Sequence, residues 1–158
     1  MIPINRAVAD PARVIAAARR WHGTPYHDQA SLRDVGCDCL GLIRGVWRDI
    51  IGPEALPVPA YARDWSETGP SEVLAEAARQ VLLSIAVSEA GRGAVVLFRM
   101  RAGAIAKHCG ILTEHGRFIH AYERLGVIEE PLTTAWQRRI AFAFLFPPRA
   151  SGPTMHGI

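Results

Sequence analysis

The sequence predicts an α+β domain, and three observations carry that reading. Segments with helical spacing and cap signals lie before residue 83, runs with strand-like patterning lie after it, and no stretch between them could separate a pair of cores in a chain of 158 residues. The expected architecture is a layer of N-terminal helices packed on a C-terminal antiparallel sheet, as one domain over 1–158.

The elements follow in order. Asp10-Pro11 reads as a cap followed by a first helical residue, after which Val14, Ile15, Ala18 and Trp21 recur at helical spacing until Gly23-Thr24-Pro25-Tyr26 stops them. A polar loop leads to Asp38, which caps a second helix with Leu42, Ile43, Val46, Trp47 and Ile50 on one face and Gly52-Pro53 at its end. Residues 53–70 are rich in proline and lack periodicity, so they are expected to form a long surface loop, with Tyr61 and Trp65 as its aromatic anchors or as a docking surface. Ser71 caps a third helix to about residue 82. Strands are then expected over 83–87, 94–100, 106–113, 117–122, 126–129 and 140–146, with a flexible tail over 150–158.

Composition narrows the function classes. Hydrophobic content of 49% with 21% charged residues is that of a globular chain. The net charge of +3 is spread thinly, with no basic run, which argues against nucleic acid as a partner while suiting an anionic envelope polymer. No apolar run is long enough for membrane insertion, and MIPINRAVADP has no export-signal pattern, so synthesis in the cytoplasm without a signal peptide is expected. Three cysteines are an odd number, so reduced thiols are expected rather than a disulfide framework.

Two of those thiols sit in Gly36-Cys37-Asp38-Cys39-Leu40-Gly41-Leu42, at the start of the second helix. Cys39 falls in the first turn, where unpaired N–H groups and the positive dipole end favour a thiolate and can receive an oxyanion. Cys37 precedes the helix and gains less. A nucleophilic cysteine needs an imidazole, and the imidazole needs an orienting group. The segment 107–122 can hold both. If Glu114-His115-Gly116 is a three-residue loop, Thr113 pairs with Arg117, Gly110 with His120 and His108 with Tyr122. His108 and His120 then share a face as diagonal neighbours about 7 Å apart, and Gly110 leaves room for a ring. Read separately, the cysteine is a small buried hydrophobe and each histidine a structural or exposed residue, as His22, His27, His115 and His156 are taken to be. A zinc site built from Cys37, Cys39, His108 and Cys109 is the other reading. Its C-x-C spacing is too short for structural zinc, and adjacent strand residues point to opposite faces. No metal or other cofactor is expected.

These residues resemble the NlpC-like bacterial cell-wall cysteine peptidases, which have a compact papain-like fold. The matching stretches are Gly23-Thr24-Pro25-Tyr26, Asp38-Cys39-Leu40-Gly41-Leu42, Gly93-Ala94-Val95-Val96-Leu97-Phe98, His108-Cys109-Gly110-Ile111 and Phe118-Ile119-His120-Ala121, in the family's order. The resemblance implies Cys39 as nucleophile, His108 as general base and acid, and His120 as the group orienting His108. It implies Tyr26 for oxyanion or substrate contact, and Asp38 for shaping a substrate-amine site beside its role as helix cap. The implied activity is a thiol hydrolase acting on peptidoglycan stem peptides, at the γ-D-glutamyl to diamino-acid bond. Departures from the family pattern are Leu40 for serine, Ala94 for aspartate and His27-Asp28-Gln29-Ala30 for a glycine pair. The variant Asp-Cys-Leu-Gly-Leu-x-Arg-Gly-Val-Trp resembles the branch carried with phage tails and gene transfer agents, which implies tail or baseplate partners and action at the cell wall after particle delivery. Two other functions compete: a catalytically silent structural or wall-binding tail component, and a thiol acyltransferase or amidase.

Overall fold

The computed structural model describes residues 7–54 and 72–149 and has the expected α+β order. Helix α1 spans Pro11–Arg19, opened by Asp10, whose carboxylate accepts the Ala12 N–H at 3.0 Å. It ends two residues before Trp21, which turns inward beyond the helix and donates its indole N–H to Asp49 Oδ2 at 3.3 Å. Two short strands that the sequence read as loop, β1 (Ser31–Leu32) and β2 (Gly36–Cys37), form a hairpin before α2 (Cys39–Ile50). Two-residue strands carry no detectable alternation, so no period could reveal them. Helix α2 terminates ahead of Gly52, whose φ of +142° suits glycine. Helix α3 (Val73–Val81) starts after Glu72. Ser71, the loop from 55 with Tyr61 and Trp65, and the tail 150–158 lie outside the described residues.

Strands β3 (Leu83–Ile85), β4 (Val95–Phe98), β5 (His108–Leu112), β6 (Arg117–Tyr122), β7 (Gly126–Pro131) and β8 (Ile140–Leu145) form an antiparallel sheet in the order β3-β8-β4-β5-β6-β7. A one-turn helix, α4 (Thr134–Gln137), capped by Thr133, was not expected, since four residues are too few for a helical period to show. Strand β7 runs to Pro131, past the expected end at 129, because Glu130 and Pro131 pair with Phe118 and Arg117 in continuous register.

Both faces of the central strands are covered, which explains their nearly continuous apolar runs. Alternation sends Val95, Leu97, Cys109, Ile111 and Ile119 toward α1 and α2, where Val14, Trp21, Leu42 and Val46 meet them. Val96, Phe98, Leu112 and Phe118 go to the opposite face, under Trp136 of α4. Gly45 lets the helices close, because a Cβ there would overlap the Trp21 indole. Among the described residues, no helix is long and apolar enough to cross a membrane.

Candidate active site

Local sequence brings Cys39 to the head of α2. Asp38 sets the helix start, with Oδ1 accepting the Gly41 N–H and Oδ2 accepting the Gln29 N–H, each at 2.7 Å. The second bond ties the 27–30 loop to the cap. Asp38 is therefore a buried structural cap in this arrangement. Cys39 remains partly exposed, whereas Cys37 and Cys109 are buried.

Tyr26 reaches the same place through backbone pairing. The Val127 backbone exchanges bonds with the 23–24 segment: Gly23 N–H donates to Val127 O, and Val127 N–H donates to Thr24 O, both at 2.9 Å. Cys37 N–H then donates to Pro25 O, and His27 N–H to Cys37 O, both at 3.0 Å. Gly126, with φ +75°, is needed at this crossing, since a Cβ would overlap the Thr24 carbonyl. The Gly-Thr-Pro-Tyr segment is thus held between β7 and β2. Burial first, then the charges of Cys39, Asp38 and Asp28, holds the Tyr26 phenol protonated, and its O–H donates to the Asp28 carboxylate.

The β5–β6 hairpin brings the histidines together. Thr113 N–H donates to Arg117 O at 2.9 Å, and Ile111 and Leu112 pair with Ile119 and Phe118, the register of a three-residue loop. Gly116 has φ +68° as that loop requires, and His115 shares the left-handed region at +58°. His108 Nε2 lies 2.7 Å from His120 Nδ1. A Cβ on Gly110 would stand 3.1 Å from His120 Cβ, so a larger residue would press on that ring.

The second nitrogen of His120 is engaged too. Its Nε2 lies 2.7 Å from Glu130 Oε2, a residue no sequence signal picked out. Extending the β6–β7 register by one pair beyond residue 129 would have found it, because that places residue 130 diagonal to His120. Rings of Phe118, Tyr122 and Trp136 enclose His120 at centroid distances of 4.3, 5.1 and 5.2 Å. Burial, then the neighbouring His108, lowers His120 to about 3, so His120 is neutral.

The three thiols differ sharply. Cys39 is held well below the ordinary thiol range: the Cys109 thiol donates to it, and the His108 side chain bonds and attracts it, together outweighing its burial. Cys109 is correspondingly raised, keeping its proton beside the Cys39 sulfur. Burial first, then the charges of Asp38 and Cys39, pushes Cys37 up to about 12. When protonated, Cys39 Sγ has the Lys107 carbonyl as acceptor at 3.9 Å. One thiolate beside one imidazole, with two reserved thiols behind it, is an arrangement for nucleophilic attack. Among the described residues, no group of three or more His, Cys, Asp or Glu side chains could hold a metal ion.

A sequence model of the NlpC/P60 family matches residues 21–144. The chain belongs to the NlpC/P60 family. No curated protein sequence matches it. Solved NlpC/P60 structures share its fold, the papain-like fold. An NLP/P60-family protein similar to a lipoprotein, from Staphylococcus aureus subsp. aureus Mu50, is 22% identical at TM-score 0.59, covering 94% of this chain and 45% of its own. The NlpC/p60 domain of the peptidoglycan hydrolase SagA is 22% identical at TM-score 0.57, covering 86% of this chain and 98% of its own. The peptidoglycan hydrolase RipB from Mycobacterium tuberculosis is 19% identical at TM-score 0.51, covering 85% and 63%. The chain therefore spans under half of the staphylococcal protein but nearly all of the SagA domain. Within this NlpC/P60 domain, Ala94 is fully buried in the apolar layer under α4, and Leu40 packs against the helix-side core. Both departures from the family pattern are thus met by apolar surroundings.

Proposed function

We propose that the protein is a cysteine peptidase that hydrolyses peptidoglycan stem peptides through a thioester. The observation that carries this reading is the Cys39 thiol, lowered toward thiolate at a helix start and bonded to His108, whose far nitrogen is 2.7 Å from His120. Cys39 sulfur attacks the scissile carbonyl carbon, and the carbonyl electron pair moves to oxygen. The backbone N–H groups of Cys39 and Leu40, which open α2 and have no acceptor within the helix, are the donors for that oxyanion, with Tyr26 beside them. His108 gives its proton to the departing amine, leaving a thioester. Water deprotonated by His108 then attacks the thioester, and the thiolate leaves.

Peptidoglycan as substrate is supported by the family and by the description of SagA and RipB as peptidoglycan hydrolases. The γ-D-glutamyl to diamino-acid bond is the bond proposed. Delivery to the wall with a phage-like tail or baseplate is proposed from the Asp-Cys-Leu-Gly-Leu variant at residues 38–42.

The test is digestion of purified sacculi, with mass spectrometry of the released muropeptides. Wild type should expose new diamino-acid amines, and Cys39→Ala should lose about 10³-fold or more of that rate with its fold intact. A Cys39→Ala variant that digests sacculi like wild type would sink the reading.

A further inference from the structure

We infer that Glu130 is a positioning residue, the fourth member of a hydrogen-bonded chain that runs Cys39, His108, His120, Glu130 and sets which nitrogen of His108 carries the lone pair. The inference rests on the proposed nucleophilic role of Cys39 and extends it.

Donor and acceptor chemistry dictates the order. A carboxylate only accepts, so His120 Nε2, 2.7 Å from Glu130 Oε2, must carry the proton and donate it. His120 is neutral, so its Nδ1 is then bare and accepts. The atom 2.7 Å away, His108 Nε2, must supply that hydrogen. With Nε2 protonated, the neutral His108 ring has its lone pair on Nδ1, free to take the proton of Cys39. Each tautomer is fixed by its neighbour, and the chain begins at the only group in it that cannot donate. Without Glu130, the pair can invert: His120 Nδ1–H would donate to His108 Nε2, and the base lone pair would point away from the sulfur.

The second contribution is charge. Proton transfer from Cys39 Sγ to His108 Nδ1 leaves a thiolate and an imidazolium, with no other bond made or broken. The imidazolium Nε2–H still donates to His120, whose Nε2–H donates to the carboxylate. Glu130 therefore favours the protonated ring at the far end of the chain. His108 from β5 and Tyr122 from its own strand also contact His120, and Arg139 lies over the Trp136 ring, 5.5 Å from its centroid. The side chain of Glu130 is 32% exposed, so its charge is partly screened, while the hydrogen bond to fully buried His120 is sheltered.

Strand β7 explains why this residue is available. Ile119 pairs with Glu129 and Phe118 with Glu130, so the two adjacent glutamates face opposite sides of the sheet. Glu129 binds Arg19 and Thr113 on the helix side, at 3.0 and 2.8 Å. Glu130 goes to the histidine side.

The experiment compares wild type, Glu130→Ala and Glu130→Gln. It measures Cys39 alkylation against pH with the labelled cysteine mapped, and sacculus digestion against pH. Near-UV circular dichroism and melting establish the fold of each variant. In Glu130→Ala, alkylation near neutral pH should slow by about tenfold or more, and the high-pH limb of digestion, where the imidazolium is lost, should move to lower pH. The low-pH limb, where the thiol ionises beside the imidazolium, should stay. Glu130→Gln can still accept from His120 Nε2–H, so it should recover some of the alkylation rate but keep the shifted high-pH limb, since the charge is gone. A folded Glu130→Ala variant that labels like wild type at every pH overturns the inference. If the alanine variant does not fold, wild-type labelling and limbs in Glu130→Gln overturn it instead. Alkylation needs no peptidoglycan, so Glu130-dependent labelling in a protein that leaves sacculi intact would uphold the chain and sink the peptidase reading. Digestion indifferent to Glu130 would do the reverse.

Discussion

Cys39 owes its reactivity to two neighbours of different kinds, an imidazole that takes its proton and a thiol that solvates the resulting anion. The second, Cys109, occupies the position after His108 and faces the helix side of β5, in the cluster that Cys39 packs against. Its thiol keeps its proton because the nearby Cys39 and burial both disfavour a second anion. Cys109→Val keeps the volume and the apolar contacts but removes the S–H donor. Alkylation of Cys39 near pH 6 should slow by about tenfold to a hundredfold, the loss of one hydrogen bond to a charged group, about 1.5–3 kcal/mol. Melting should change little. An unchanged alkylation profile would mean that His108 alone holds the thiolate.

Helix α2 approaches the end of α1 closely at Gly45 and Trp21, and the placement of Cys39 depends on it. Gly45 lies on the α2 face that meets Trp21, and the indole fills the space a Cβ would need. Trp21 cannot retreat freely, since it is buried and its N–H is held by Asp49 on the same helix. Gly45→Ala should therefore push the helices apart, costing about 1–3 kcal/mol of overpacking despite the better helix propensity of alanine. Thermal melting checks the cost. The same displacement should slow Cys39 alkylation, because α2 carries the thiol toward His108. Equal melting temperatures would show that the crossing has slack.

For the molecule as a whole, the buried neutral His120 couples the fold to pH. Its folded value of about 3 lies below the ordinary 6.5, so the unfolded chain binds an extra proton between those limits. Its contribution is complete above pH 6.5 and is lost as pH falls through that window. Carboxylates follow at lower pH. Glu129 is lowered chiefly by Arg19, with Thr113 adding to it, and Glu54 is lowered by Arg44 and Arg48 against its burial. Their stabilisation is present above the ordinary 4.5 and fades below it. Melting temperature should therefore decline from about pH 7 to pH 5 in wild type, and decline less in His120→Gln, where no imidazole titrates. Parallel declines would contradict a neutral buried His120.

Much of this architecture is written locally. Asp10-Pro11 and Asp38 open helices because a cap acts on N–H groups two or three residues away, and Glu114-His115-Gly116, as a three-residue loop and not the two-residue alternative, sets the register of β5 on β6. From that register alone, His108 and His120 fall on one face. The path of Tyr26 to the thiol, the two-residue strands β1 and β2, and the one-turn helix that brings Trp136 over the histidines were not legible, because none extends over enough residues to show a period. Glu130 is the sharpest case. Glu129 and Glu130 are identical side chains in adjacent positions, and nothing in composition or spacing tells them apart. Their different partners, an arginine on α1 and a histidine on β6, follow from how far β7 pairs along β6, and that pairing is a property of contacts between strands, not of either strand alone.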